Sequence, residues 1–122
     1  MIPSTWTPRG CQEITKKTKG GWRVKKIEDT ISQEKLEHYL GLTKKARDKA
    51  TAIHSEGSKE SEMLAILLRM ADDYTSDANY FMENGDYIRA FGAINYAHAW
   101  IDAGIKLRLL DGHGDDELFT LP

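Results

Sequence analysis

Hydrophobic positions fall at helical spacing over three long stretches of this chain. In the last stretch, bulky residues recur every three or four positions and trace one face of a helix of about seven turns that ends near Leu110. These residues are Tyr87, Phe91, Ile94, His98, Ile101 and Ile105. A second face is small and consists of Ala90, Ala93, Ala97 and Gly104 beside Trp100. Because short side chains let a neighbouring backbone approach closely, this helix is predicted to be buried on two sides.

An earlier stretch predicts that order begins near Asp29 and that a first helix then runs to about His54. Thr30 and Gln33 have the spacing of a capping box, and Ser32 is an alternative cap. The apolar face of this helix is predicted to contain Leu36, Leu40, Thr43, Ala46, Ala50 and Ile53.

The second helix is predicted to begin after Ser58, since serine caps helix N-termini well, and to run for about six turns. Its apolar positions are Met63, Leu67, Met70, Tyr74, Ala78 and Phe81. Gly85 suits the left-handed residue that closes a helix, and Asp86 is placed to cap the next one. Helices joined by so short a link lie antiparallel. No run alternates with the period of a strand, so we predict an all-α, antiparallel three-helix bundle without a sheet.

Residues 1–26 differ from the rest of the 122-residue chain. They lack helical or strand periodicity, and we expect a flexible, disordered extension before a bundle domain at residues 27–122. The net charge of −2 conceals a split, because the extension carries seven Lys or Arg against one Glu and the remainder is acidic. An acidic body repels phosphate backbones, so nucleic-acid binding is expected only through the extension.

Composition also limits the location and chemistry of the protein. No stretch has the roughly eighteen uncharged apolar residues of a membrane span, and the N-terminus lacks the apolar core of a secretory signal. We therefore expect a cytoplasmic protein that does not bind a membrane. Cys11 is the only cysteine, which excludes an internal disulfide and a cysteine-based zinc site.

Polar residues interrupt the apolar stripe of the third helix. Asn95, His98 and Asp102 have spacings of three and four, and counting back across the turn places Tyr74 and Asp77 at the same level. An unpaired buried charge would cost several kcal/mol, so these groups must be mutually paired or open to a cleft. The favoured interpretation is a paired network that fixes helix register, and the alternative is a ligand-binding pocket formed by these five residues.

Two kinds of chemistry would fit such a layer poorly. Di-iron bundles use Glu-x-x-His from two helices, but here Asn95 stands in place of the carboxylate and no second copy occurs. His98 would act as a base if Asp102 or Asp77 oriented it, yet nothing identifies a nucleophile or an oxyanion site. We therefore assign no catalytic residue, no metal and no cofactor.

A longer pattern resembles the signature of an archaeal family called domain of unknown function 357, over roughly residues 27–121. The pattern comprises Asp77, Ala78, Tyr80, Phe81, Gly85, Asp86, Tyr87, Ala90, Phe91, Asn95, Tyr96, Ala97, Trp100, Asp102, Ala103 and Gly104, then Asp115, Asp116, Leu118 and Phe119. The resemblance implies a small helical bundle of archaeal origin with no established activity and no catalytic residues to assign.

The functional hypothesis is a non-enzymatic module that binds another protein or itself as a homodimer. The two-sided third helix and the apolar cluster Leu118, Phe119 and Leu121 support it. A terminal cluster of this kind usually folds back on its own domain, and insertion into a partner is the alternative.

Overall fold

A computed structural model describes residues 17–18, 21–22 and 26–122. The expectation of a flexible extension falls almost entirely on residues outside this described part. Within it, β1 (Lys17–Thr18) and β2 (Gly21–Trp22) pair antiparallel. The prediction of a chain without strands is therefore wrong here, and again at a second short pair described below.

The first helix, α1 (Gln33–Lys49), is shorter than predicted. The Ser32 hydroxyl caps it by accepting a hydrogen bond from the Lys35 N–H at 3.1 Å, so the alternative cap is the one used. The helix ends five residues before His54, because the backbone of Thr51 and Ala52 is hydrogen-bonded in a short strand pair instead of in the helix. Strand β3 (Thr51–Ala52) pairs antiparallel with β4 (Leu110–Asp111) beyond the third helix.

The other two helices begin at the predicted caps. Helix α2 (Lys59–Glu83) is capped by Ser58, and α3 (Tyr87–Lys106) by Asp86, whose Oδ1 accepts from the Arg89 N–H at 3.1 Å. Gly85, in the link between them, adopts φ +75°, a conformation that costs glycine little. Helix α3 stops four residues short of Leu110, because the chain turns there towards β4.

Helix α3 lies at the centre of the bundle and packs against both other helices. The backbones of α1 and α2 stay farther apart, and Arg47 of α1 joins the two helices by donating two hydrogen bonds to the Asp72 carboxylate. Both of its predicted faces are covered, since the core includes Ile94, Ile101 and Ile105 as well as Ala90, Ala97 and Gly104. A Cβ on Gly104 would lie 2.7 Å from Leu110 Cδ1, which shows how closely the chain passes this position. The structure confirms the three-helix bundle and its two-sided central helix.

The apolar stripe predicted for α2 is mostly not core. Its buried residues are Leu64, Ala71 and Ala78, and only Ala78 belongs to the predicted stripe. The remaining members, Leu67, Met70, Tyr74 and Phe81, are half-buried, and Met63 is 44% exposed. Among the described residues, α1 does not cover this side of α2, because it contacts α2 and α3 on other sides, at Asp72 and His98. Within the described residues, no helix has an apolar segment long enough to cross a lipid bilayer.

Candidate functional site

The structure divides the five polar residues of the predicted layer between two surfaces. Asn95, His98 and Asp102 line a depression of about 290 Å³ to which α1 also contributes. Tyr74 and Asp77 line a separate one of about 400 Å³ between α2 and α3. The period of 3.6 residues places the α3 residues that border these two depressions on different sides of the helix. A ligand-binding role for the five residues stays a prediction.

His98 bonds to the protein through both ring nitrogens. Its Nε2 lies 2.7 Å from the Leu118 carbonyl oxygen, and its Nδ1 lies 2.9 Å from the Thr43 hydroxyl of α1. Because a carbonyl oxygen only accepts, Nε2 carries the hydrogen, and Nδ1 of the neutral ring accepts from Thr43. His98 thus joins α1, α3 and the end of the chain, and a ligand would have to displace one of these partners.

Three α3 side chains spaced four residues apart hold the C-terminal segment, residues 112–122. The first is His98. The second is Asp102, whose carboxylate accepts from the Thr120 N–H at 2.9 Å and from the Thr120 hydroxyl at 3.2 Å. The third is Lys106, whose Nζ donates to a carbonyl oxygen near the chain end. Side chains four apart lie on one side of a helix, so this row follows the segment along α3.

The apolar cluster at the chain end folds back onto the bundle. Phe119 is only 4% exposed and belongs to the same core cluster as Ile101, Ile105 and Leu110. Gly112 makes room for it, because a Cβ at that position would lie 2.8 Å from Phe119 Cδ2. Phe119, the most buried residue of this cluster, therefore packs against its own domain.

Asp115 begins the last turn of the C-terminal segment and is held by three donors. Its carboxylate accepts from Lys49 Nζ at 2.8 Å, from the Leu118 N–H at 3.0 Å and from the Glu117 N–H at 3.1 Å. The Lys49 hydrogen bond, followed by the Leu118 backbone, lowers the pKa of the Asp115 carboxyl below its ordinary value of 3.8. The charged form of Asp115 is therefore the form that the folded state favours.

We expect Asp115 to make the protein less stable in acid. A carboxyl whose pKa is lowered on folding contributes stability that is fully present above its unfolded pKa and is lost as pH falls through the folded one. Urea unfolding of wild type and Asp115→Asn should show a stability difference at pH 6 that shrinks towards pH 2. Asp116→Asn is the matched control, because Asp116 has no hydrogen bond or ion pair among the described residues. An equal difference for both variants at every pH would contradict this assignment.

The depression between α2 and α3 is the aromatic groove, lined by Tyr74, Asp77, Phe81, Arg89, Gly92, Ala93 and Tyr96. Tyr96 is 47% exposed and meets the ring of Tyr74 edge-on, with centroids 4.5 Å apart. Its other neighbour is Trp100, at 5.8 Å. The Arg89 guanidinium lies 5.8 Å from the centre of the Phe81 ring. The aromatic rings thus hold one another in fixed orientations at the surface.

Tyr74 and Asp77 were predicted to lie beside Asn95, His98 and Asp102, and their actual neighbours Tyr96 and Arg89 were not predicted. The missed signal was the spacing of four that joins Gly92, Tyr96 and Trp100 along one side of α3. Thr43 was predicted to be buried, but its hydrogen bond to His98 has no local signature, because the two residues are 55 positions apart.

A further depression, of about 900 Å³, lies at the other end of the bundle. Its walls are mainly apolar and include Ile53, Met63 and Leu107. His54 also lines it, but its Nε2 lies 3.1 Å from the Arg108 carbonyl oxygen, so the ring holds the backbone of the link after α3. Its remaining polar side chains are those of Glu60, Arg108 and Asp111.

Metal-ligating side chains are scattered. Within the part of the chain that the structure describes, no three His, Cys, Asp or Glu residues come together in a way that would hold a metal ion.

Comparison with known proteins identifies the family of the chain. No curated protein and no solved structure matches it. Residues 38–110 match the family described as "Protein of unknown function (DUF357)". This match begins in α1, spans α2 and α3, and ends at the first residue of β4. The chain belongs to the DUF357 family.

Proposed function

We propose that this protein is a non-enzymatic helical module that binds another protein through the aromatic groove. The observation that supports the proposal is the aromatic surface of this groove. Tyr96 is 47% exposed there, and Tyr74 and Phe81 of the α2 stripe are only partly buried although they follow the period of a core face. Protein interfaces are enriched in Tyr, Trp, Phe, Met and Arg, and Tyr74, Phe81, Tyr96 and Arg89 supply several of these at the groove.

The bonding of His98 favours a binding module over an enzyme. A general base needs a free lone pair within reach of its substrate, whereas both ring nitrogens here contact protein groups. Asp102, which would orient such a base, instead binds Thr120. Nucleic-acid binding depends on residues 1–26, nearly all of which lie outside the described residues, and it stays a prediction.

Site-specific photocrosslinking in the source organism tests the proposal. We expect a photoreactive benzoyl-phenylalanine in place of Tyr96 to give a discrete crosslinked product, because a bound protein would lie within a few ångströms of that ring. The same group in place of Lys45, an exposed residue of α1, is the control. Adding Tyr74→Ser to the Tyr96 variant should reduce the product. Equal products from both positions, or none from Tyr96, would argue against the groove as a binding surface.

A further inference from the structure

We infer that the protein bound in the aromatic groove is a second copy of this chain, in a two-fold symmetric dimer in which Asp77 of each copy pairs with Arg89 of the other. This inference rests on the proposed function and names the partner. In such a dimer the same patch lies on both sides of the interface, so a contact between one residue of the first copy and another residue of the second occurs twice, with the copies exchanged. A patch that contains one acidic and one basic side chain can then form two identical ion pairs across the interface.

The charges of the groove have this self-complementary arrangement. Asp77 is exposed and forms no ion pair or hydrogen bond with any described residue. Arg89 is 71% exposed and forms a loose ion pair with the half-buried Asp86, whose Oδ2 lies 3.4 Å from Arg89 Nε, too long for a strong hydrogen bond. Asp77 and Arg89 line the same groove from opposite helices but do not pair with each other within one copy. Each therefore remains available to a partner.

The shape of the groove also suits a helical hairpin. Its floor contains Gly92 and Ala93, and a Cβ on Gly92 would meet no heavy atom within 4 Å. Such small residues allow two helix pairs to approach closely at the point where they cross. The rings of Phe81 and Tyr96 border this floor and would pack against the partner. Helices α2 and α3 of both copies would then form a four-helix arrangement that covers the half-exposed α2 stripe.

The bundle itself is acidic, with ten Lys or Arg against eighteen Asp or Glu in residues 27–122, so two copies repel each other at long range. Association therefore depends on the charge pairs and apolar contacts of the groove itself. A partner with a strongly basic surface would be expected if the groove were uniformly acidic. The presence of Arg89 beside Asp77 instead favours a partner with one charge of each sign.

Charge exchange provides a test that a merely structural effect would not reproduce. Native mass spectrometry and sedimentation of the full chain should show a dimer. Asp77→Arg alone and Arg89→Asp alone should each weaken it about tenfold or more, because each places like charges opposite one another twice. The double variant Asp77→Arg/Arg89→Asp should restore it. An equimolar mixture of the two single variants should form a heterodimer, since both pairs are then of opposite sign.

Several outcomes would overturn the inference. Circular dichroism should first show unchanged helicity for every variant, as expected for exposed positions, and Lys45→Glu on α1 should leave the dimer unchanged. A wild-type chain that stays monomeric at all attainable concentrations would exclude the inference, as would single variants that never recover on mixing. If the chain is monomeric and Tyr96 still crosslinks to a different protein, the dimer is wrong and the proposed function survives. If Tyr96 crosslinks to nothing, both are wrong.

Discussion

Replacing Phe119 with alanine is expected to lower the free energy of unfolding by about 3 kcal/mol, the low end of the range for a buried phenylalanine. The ring is 4% exposed and packs in the same cluster as α2 and α3 residues, although it lies three residues from the chain end. Its removal leaves a cavity beside Gly112, where a Cβ would lie only 2.8 Å from Phe119 Cδ2. The low end applies because a terminal segment can partly close over the space. Urea unfolding followed by circular dichroism at 222 nm measures the change.

The control for this variant is Leu107→Ala. Leu107 is 62% exposed and should change stability by no more than about 0.5 kcal/mol. A Phe119 variant as stable as the control would mean that the C-terminal segment does not complete the core in solution.

Replacing His98 with alanine is expected to cost about 2 kcal/mol. The substitution removes two hydrogen bonds, worth about 1 kcal/mol each, and leaves the Leu118 carbonyl and the Thr43 hydroxyl without their partner. Because His98 joins α1 to the C-terminal segment, amide hydrogen exchange near Leu118 should also accelerate. Equilibrium unfolding and exchange together distinguish the loss of this contact from general destabilisation.

Asn95→Ala is the matched control for His98→Ala. Asn95 lies three residues away on the same helix, is exposed, and makes no side-chain hydrogen bond to any described residue. Its replacement should change stability by less than about 0.5 kcal/mol. His98→Ala and Phe119→Ala should combine to less than the sum of their effects, because either one alone releases part of the same segment. Equal effects of Asn95→Ala and His98→Ala would contradict the bonding described for His98.

These two predictions concern a feature that sequence patterns did not reveal, the attachment of the chain end to α3. The row formed by His98, Asp102 and Lys106 was visible as polar positions at spacing four. Its partners are backbone groups and a hydroxyl between Leu118 and Leu121, and backbone groups carry no sequence signal. The five-residue polar layer was therefore predicted from the correct α3 residues but with partners on the wrong helix.

For the aromatic groove, the residues of one face were predicted correctly but the burial of that face was not. Periodicity correctly identified the stripe that contains Tyr74 and Phe81 as apolar, and predicted that it is core. A period states which residues share a face but not whether another element covers that face. Here α1 packs on another side of α3, where Thr43 meets His98, so it leaves the side of α2 that bears Tyr74 and Phe81 partly exposed.

The sequence by itself determined the three helices, the caps at Ser58 and Asp86, the turn at Gly85 and the two buried sides of α3. Each of these follows from side chains within about one helical turn of one another, or from a repeat along a single element. Only the tertiary structure decided that α1 is short, that His98 and Asp102 bind the C-terminal segment, and that the apolar side of α2 is only partly covered. These features include the pairing of Thr51 with Asp111, 60 positions away, so they depend on contacts that form only when the whole chain is folded.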